Sequence, residues 1–359
     1  MLRLVTKLWG EPISRNERSQ SPESAPPIGR SEMRKLWKWT RRVLIAFVLL
    51  AIVGFLVLLR RNQPLPPAPE HAFVKPSFQS LPATSVCWIE FDQLVVTGQL
   101  ATAGITKMKN WELTASGVLI RHPKGTILVD TGSSAHFQQE IDDYPFWSHL
   151  YFEILSGGKS ATHTSSEVLR ASGVDPSALS YVLPSHIHND HVGGLVDLPN
   201  VPVLLAPEEV QFMERNRDTK TFQVVPAYAR TIETRVHTLR FALKPYENFD
   251  ESADLFGDGS VVVVKLPGHT PGSVGTFVNI SPSLRIFHVG DAINASEAVD
   301  RRLAKSFLLM PTDNDSHQAN LTVSKLSQLH ELDPDLIILP AHDRPAWKRA
   351  FGQGPRCVP

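Results

Sequence analysis

Cysteine is nearly missing from this 359-residue chain, which has only Cys87 and Cys357. Two thiols cannot build a disulfide framework or a thiolate metal site. They leave two outcomes, one bridge between the ends of the body of the chain or two free cysteines. Charge of one sign is missing as well, since 36 basic residues balance 36 acidic ones. The balance is uneven along the chain: residues 1–42 hold ten basic and four acidic residues, and residues 62–359 hold 24 and 32. A net acidic body without a basic cluster excludes nucleic acid as an expected partner. Long apolar runs are also scarce.

One such run exists, Val43 to Leu59, 17 residues apolar throughout apart from Gly54. That is the short end of the ~17–25 residues a spanning helix needs. Trp37 and Trp39 suit one membrane interface, and Arg41, Arg42, Arg60 and Arg61 suit the two ends. A core helix rarely has every face apolar, and a cleaved signal wants small residues where this chain has Arg60 and Arg61. Residues 43–61 are therefore expected to be a single transmembrane signal anchor. The excess of positive charge before it places residues 1–42 in the cytoplasm and the rest outside it, in the periplasm if the source is bacterial. Residues 1–32 carry no core pattern and are expected to be disordered. Met33, at the head of the basic lead-in, is an alternative start of translation, which an N-terminal mass measurement decides. Residues 62–83 contain six prolines and read as a semi-rigid spacer, and residues 84–359 read as one large domain.

That domain is organised around Ser185-His186-Ile187-His188-Asn189-Asp190-His191-Val192-Gly193-Gly194. Three imidazoles and a carboxylate fall within six residues, just after the apolar run Leu179–Leu183. Such a cluster suits zinc, iron or manganese. An extended segment cannot aim all of them at one ion, but a tight loop can turn His186 and His188 one way and Asp190 and His191 another. The glycines that follow are expected to let a helix start close against the site. Further candidates come at the ends of β-branched runs: His269 after Val261–Leu266, Asp291 after Leu284–Val289, and His342 after Leu336–Leu339.

The ordered set His186, His188, Asp190, His191, His269, Asp291 and His342 resembles that of the metallo-β-lactamase-fold hydrolases, over about Val86 to Trp347. The resemblance implies an αββα sandwich of two mixed sheets flanked by helices, with metals in a cleft at the strand ends. It implies that His186, His188 and His269 hold one divalent ion, that Asp190, His191 and His342 hold a second, and that Asp291 bridges them. A shared hydroxide would attack the substrate, with Asp190 and Asp291 as the catalytic carboxylates. Zinc is the default metal, and the same nitrogen and oxygen donors accept iron or manganese.

Within the resemblance, an imidazole at His188 favours hydrolysis over di-iron redox chemistry, and Asp291 argues against antibiotic hydrolysis. The order of elements is nearest to that of acyl-homoserine lactonases. Those place a tyrosine three residues after the bridging aspartate, to hold the substrate carbonyl. Here that position is Asn294, a candidate substrate contact that puts that particular substrate in question. The leading expectation is a membrane-anchored, extracytoplasmic hydrolase of a small ester or lactone. The rivals are a phosphodiesterase or thioesterase of the same fold, and a non-catalytic metal-binding sensor or scaffold.

The remaining chain supplies supporting expectations. Strands are expected at Val86–Val96, Trp111–Arg121, Thr126–Val129, Val203–Leu205 and Ile232–Phe241, and helices at Ser165–Ala171, Pro207–Arg217 and Ser316–Leu332. Ser133–Ser166 reads as irregular, with aromatic residues at 144–152 assigned to core in preference to a substrate wall. Asp258-Gly259 reads as a hairpin turn. Asp130 is expected either to cap a turn or to support the metal loop. Asp343 is expected to orient His342 or to cap a turn, and His288 to be packed, not ligating.

Overall fold

The computed structural model describes residues 29–60, 64–78, 80–97, 110–156, 160–221, 223–307 and 309–358. Most of the N-terminal segment expected to be disordered lies outside these residues. Met1–Phe55 and Leu56–Pro359 pack as separate units and are taken one at a time. In the first, the apolar run lies inside a helix, α1 (Arg30–Arg60), that starts well before the expected span. The basic lead-in holds no Pro or Gly to stop it. The helix is long and apolar enough to cross a membrane, and from Arg30 to Val57 its apolar side chains are exposed.

The second unit is built on two sheets. The first sheet contains β1 (Ser85–Thr97), β2 (Asn110–His122), β3 (Gly125–Val129), β4 (Tyr181–Leu183), β5 (Val203–Leu205), β6 (Val236–Thr238) and β12 (Cys357–Val358), in the order β12-β1-β2-β3-β4-β5-β6. The second contains β7 (Ala253–Asp254), β8 (Val261–Lys265), β9 (Val274–Ser281), β10 (Leu284–His288) and β11 (Ile337–Leu339), in the order β11-β10-β9-β8-β7. Both are mixed, with β3 to β6 parallel in the first and β10 and β11 parallel in the second.

Period-two alternation sorts each strand between layers. Val86 and Trp88 face the space between the sheets, whereas Cys87 and Ile89 face the helices outside the first sheet. Val261 and Val263 point inward, and Val262 and Val264 pack beneath the helix Ser316–Leu332 outside the second sheet. That explains why Val261–Val264 is uninterrupted valine: both faces of the strand are buried. Trp88, Trp347 and Phe351 stack between the sheets. The Trp347 indole N–H donates to Pro340 O at 2.9 Å, which fixes the chain two residues before His342.

Several expectations change. Ile232–Phe241 is not one strand, because Pro226 starts a helix that runs to Glu233 and only Val236–Thr238 is extended. Tyr228, Ala229 and Ile232 bury one helical face there, and that spacing overrides the apparent alternation. The stretch read as irregular holds helices at Phe137–Glu140 and Phe146–Ser156. Its aromatics divide: Tyr144 and Phe152 are core, whereas Phe146 and Trp147 are exposed. The turn before β8 is longer than a two-residue hairpin, and the Asp254 carboxylate accepts the Gly257 and Gly259 N–H groups at 2.9 Å each.

The proline-rich stretch does not stand free as a spacer. From Leu65 to Phe78 it lies along the domain: Ser324 Oγ donates to Pro66 O at 2.6 Å, Val74 pairs with Glu247, and Lys75 donates to the buried Asp333. The two cysteines face each other in β1 and β12 and form a disulfide.

Candidate metal centre

Each candidate ligand sits just past the end of a strand. β4 stops at Leu183 and delivers His186 and His188, β8 delivers His269, β10 delivers Asp291, and β11 delivers His342. After His188 the chain turns at once into a short helix, Asn189–Val192, which carries Asp190 and His191. The helix begins before the glycines, not after them. Gly193 and Gly194 lie in the following 3-10 turn, where a Cβ would meet Ser134 N at 2.4 Å and Thr131 O at 2.4 Å. The glycines therefore let the turn close on the loop after Asp130.

All seven residues converge. One group contains His186, His188 and His269. Its facing atoms are His188 Nδ1, 3.1 Å from His186 Nε2 and 2.9 Å from His269 Nε2. Asp190, His191 and His342 form another group, in which His342 Nε2 is 3.2 Å from Asp190 Oδ2. Asp291 lies between: Oδ2 is 3.6 Å from His269 Nε2, and Oδ1 is 3.1 Å from His342 Nε2 and 3.4 Å from His191 Nε2.

The outward nitrogen of every imidazole is tied down. His186 Nδ1 meets Ser185 Oγ at 3.0 Å, His188 Nε2 meets Gln223 Oε1 at 3.1 Å, and His191 Nδ1 meets Asp130 Oδ2 at 2.9 Å. His269 Nδ1 meets Asp313 Oδ1 at 2.8 Å, and His342 Nδ1 meets Thr114 O at 2.8 Å. Each such contact fixes the ring orientation and points the remaining nitrogen inward, the arrangement that metal-ligating histidines need.

The electrostatics differ between the groups. Burial, reinforced by the neighbouring rings, holds His186 well below the usual imidazole range and His188 down to about 3. Burial lowers His269 too, with the Lys305 ammonium adding to it. In the other group burial also works against the charged form, but the carboxylates outweigh it. Asp130, Asp291 and Asp190 push His191 up to about 10, and Asp291 and Asp190 raise His342 well above its ordinary value.

The donors fit divalent cations by type, being imidazole nitrogens and carboxylate oxygens. They also fit by what they leave over. His191 Nε2 and Asp291 Oδ1 are buried, and their mutual contacts lack hydrogen-bond geometry, which is costly unless a further partner takes them.

A model of the metallo-beta-lactamase superfamily matches residues 111–342, well over half of the chain. The chain belongs to that superfamily. It is a metal-dependent hydrolase. N-acyl homoserine lactonase AttM of Azorhizobium caulinodans is 25% identical over 241 residues, covering 66% of this chain and 85% of the relative. AttM of Agrobacterium fabrum is 24% identical over the same length and shares. Among solved structures, an N-acyl homoserine lactone hydrolase with N-hexanoyl-L-homoserine at its catalytic metal centre superposes with a TM-score of 0.55 at 18% identity, over 76% of this chain and 99% of that one. AidC, a dizinc quorum-quenching lactonase, gives 0.51 at 16% identity over 76% and 90%. At these identities the superpositions show the shared fold.

Within this superfamily fold, support for the site comes from one residue the sequence singled out, Asp130, and from two it did not, Asp313 and Lys305. Asp130, with a left-handed backbone (φ 62), accepts Ser185 N–H at 2.6 Å and holds His191, so its role is support of the metal loop. Asp313 receives both His269 and the buried Lys305, whose Nζ donates at 2.6 Å. Asp313 lies in no motif, 44 residues from His269, whereas Asp130 stands at a strand end in Asp130-Thr131-Gly132. Asp343 proves to be a cap: it accepts Ala346 N–H at the start of the helix Arg344–Phe351 and Ser296 N–H at 2.8 Å. His288 is fully buried with neither nitrogen hydrogen-bonded, 3.7 Å from Asp130, consistent with packing. Asn294 is half-buried in the loop after Asp291, and its Oδ1 makes no protein hydrogen bond.

Proposed function

We propose that this chain is a dinuclear hydrolase that opens the lactone or carboxylic ester of a small molecule, tethered to a membrane by α1 with its catalytic domain outside the cytoplasm. In this reading His186, His188 and His269 hold one divalent ion, zinc by default, and Asp190, His191 and His342 hold the other, with Asp291 shared. When bound, such ions supply a Lewis acid for the carbonyl and a water whose pKa falls to around 7.

The chain's own groups supply the rest. Asp291, as an anion between the two groups, offsets the repulsion of two cations. Asp190 has an oxygen near His342 and is partly exposed, so it can take up the proton released as water attacks. Asn294 offers a carboxamide in place of a phenol for the substrate carbonyl. The observation that carries the reading is the pairing of two converging donor groups through one carboxylate, with all five rings oriented from behind. The lactonase relatives favour lactones among the possible substrates.

The tether and its direction rest on the apolar run, the arginines at its ends and the charge excess before it. The Cys87–Cys357 disulfide fits an oxidising compartment. Added protease should digest the domain in intact right-side-out vesicles, and a domain digested only from the cytoplasmic side would refute the placement.

The test of activity uses the full chain in detergent micelles, zinc-loaded, against acyl-homoserine lactones, aryl esters, thioesters and phosphodiesters. Zinc-dependent turnover of a lactone or ester, absent in Asp291→Ala, is expected. Turnover confined to phosphodiesters or thioesters would replace the proposed substrate class, and a zinc-loaded chain inert on every class would favour a sensor.

A further inference from the structure

Glu209 is a carboxylic acid with no solvent exposure at the start of the helix Pro207–Asn216, outside every motif and away from the metal donors themselves. Its Oε1 accepts the Ile187 N–H at 2.8 Å, and Ile187 is the residue between His186 and His188. The same carboxylate takes the Thr270 hydroxyl at 2.9 and 2.8 Å and the Gly272 N–H at 2.9 Å, in the loop that carries His269. One side chain thus joins the two loops that supply all three rings of the first group.

The His269 loop has little freedom of its own. A Cβ on Gly272 would lie 2.2 Å from Glu209 N, and one on Gly268 would lie 2.2 Å from Ala319 N. The loop is wedged between the helices Pro207–Asn216 and Ser316–Leu332, and Glu209 sets its position against the β4 loop. A buried carboxyl group is costly unless its oxygens are satisfied, and here both are, by donors that belong only to those two loops.

We infer that Glu209 is a positioning residue that sets the spacing of His186 and His188 against His269 and thereby tunes the affinity of that donor group for its divalent ion, while leaving the Asp190, His191 and His342 group largely alone. The inference rests on the dinuclear reading above. Glu209→Gln keeps the size but sets an amide NH2 against the N–H donors, and Thr270→Val removes the hydroxyl at constant shape. Replacing a partner behind metal ligands costs roughly 10–100-fold in metal affinity.

The experiment is zinc binding by chelator competition on the metal-stripped full chain, with thermal unfolding of the stripped and loaded forms. Wild type binding no zinc would sink the dinuclear reading itself. With wild type binding two, the variants are expected to lose about 10–100-fold in affinity at one of the two zinc sites. The same loss is expected when a second variant, Asp130→Asn, has already weakened the other site. The unfolding temperature of the stripped protein should fall little while the rise caused by zinc shrinks. Unchanged zinc affinity would overturn the inference. So would equal loss at both sites with collapse of the stripped protein, which marks a purely structural role.

Discussion

The two halves of the metal centre are built from the same residue type and behave oppositely. In the His186, His188 and His269 half, burial and neighbouring cationic or imidazole groups keep the rings neutral. In the Asp190, His191 and His342 half, the rings face Asp190 and Asp291, and His191 also faces Asp130, so they favour the proton despite burial. Imidazole must be neutral to ligate. On the dinuclear reading, the first half would take a cation at neutral pH with little proton release, and the second would exchange a proton for it. The difference lies in the charges around the rings, the Lys305 ammonium and neighbouring imidazoles in the first half against carboxylates in the second, not in the histidines.

Removing the shared group should end the cooperation of the halves. Asp291→Ala is expected to have the largest effect, bringing hydrolysis down to the level of the metal-stripped protein with at most one zinc retained, as metal analysis and turnover would show. Next come two substitutions that separate the halves. Asp130→Asn leaves an acceptor for Ser185 but removes the charge behind His191, and Asp313→Asn does the same behind His269. Each should weaken one zinc site by about 10–100-fold and spare the other. If both affected the same site, the assignment of two halves would be wrong.

The pH dependence of the stripped protein sharpens the contrast. His191 has a folded pKa near 10 against about 6.5 unfolded, so its contribution is fully present below pH 6.5 and is lost as pH rises toward 10. His188 has a folded pKa near 3, so the unfolded chain binds its proton more readily and stability is lost as pH falls from 6.5 toward 3. Unfolding of metal-stripped wild type across pH, compared with His191→Gln and His188→Gln, should show the alkaline loss reduced in the first and the acid loss reduced in the second. The smallest expected effect is that of Gln223→Leu, which removes the half-buried partner of His188 Nε2 and should cost about tenfold or less in zinc affinity at the three-histidine half.

Much of this was visible in the residues. The His/Asp cluster located four candidate ligands and the ends of β-branched runs located His269, Asp291 and His342, because burial on both faces demands apolar runs and the chain can expose polar chemistry only where they stop. The seven-residue order gave the sandwich through resemblance. What stayed hidden depends on contacts distant in sequence: Glu209 to Ile187 and Gly272, Asp313 to His269, Thr114 O to His342. No local period marks such pairs. β9 and the helix Arg344–Phe351 were not expected, since neither ends in a candidate ligand. The helix Pro226–Glu233 was masked by an apparent alternation that its proline start should have countered. The proline-rich stretch read as a spacer because composition reports stiffness but not what a segment packs against.

The measurement that bears most directly on the unequal halves is a zinc titration of the metal-stripped full chain in weak buffer at pH 7, following bound metal and released protons together. Two zinc ions should bind, the first with little proton release and the second with clear release, and Asp291→Ala should lose the second event. A single ion, or two that release protons equally, would contradict the account.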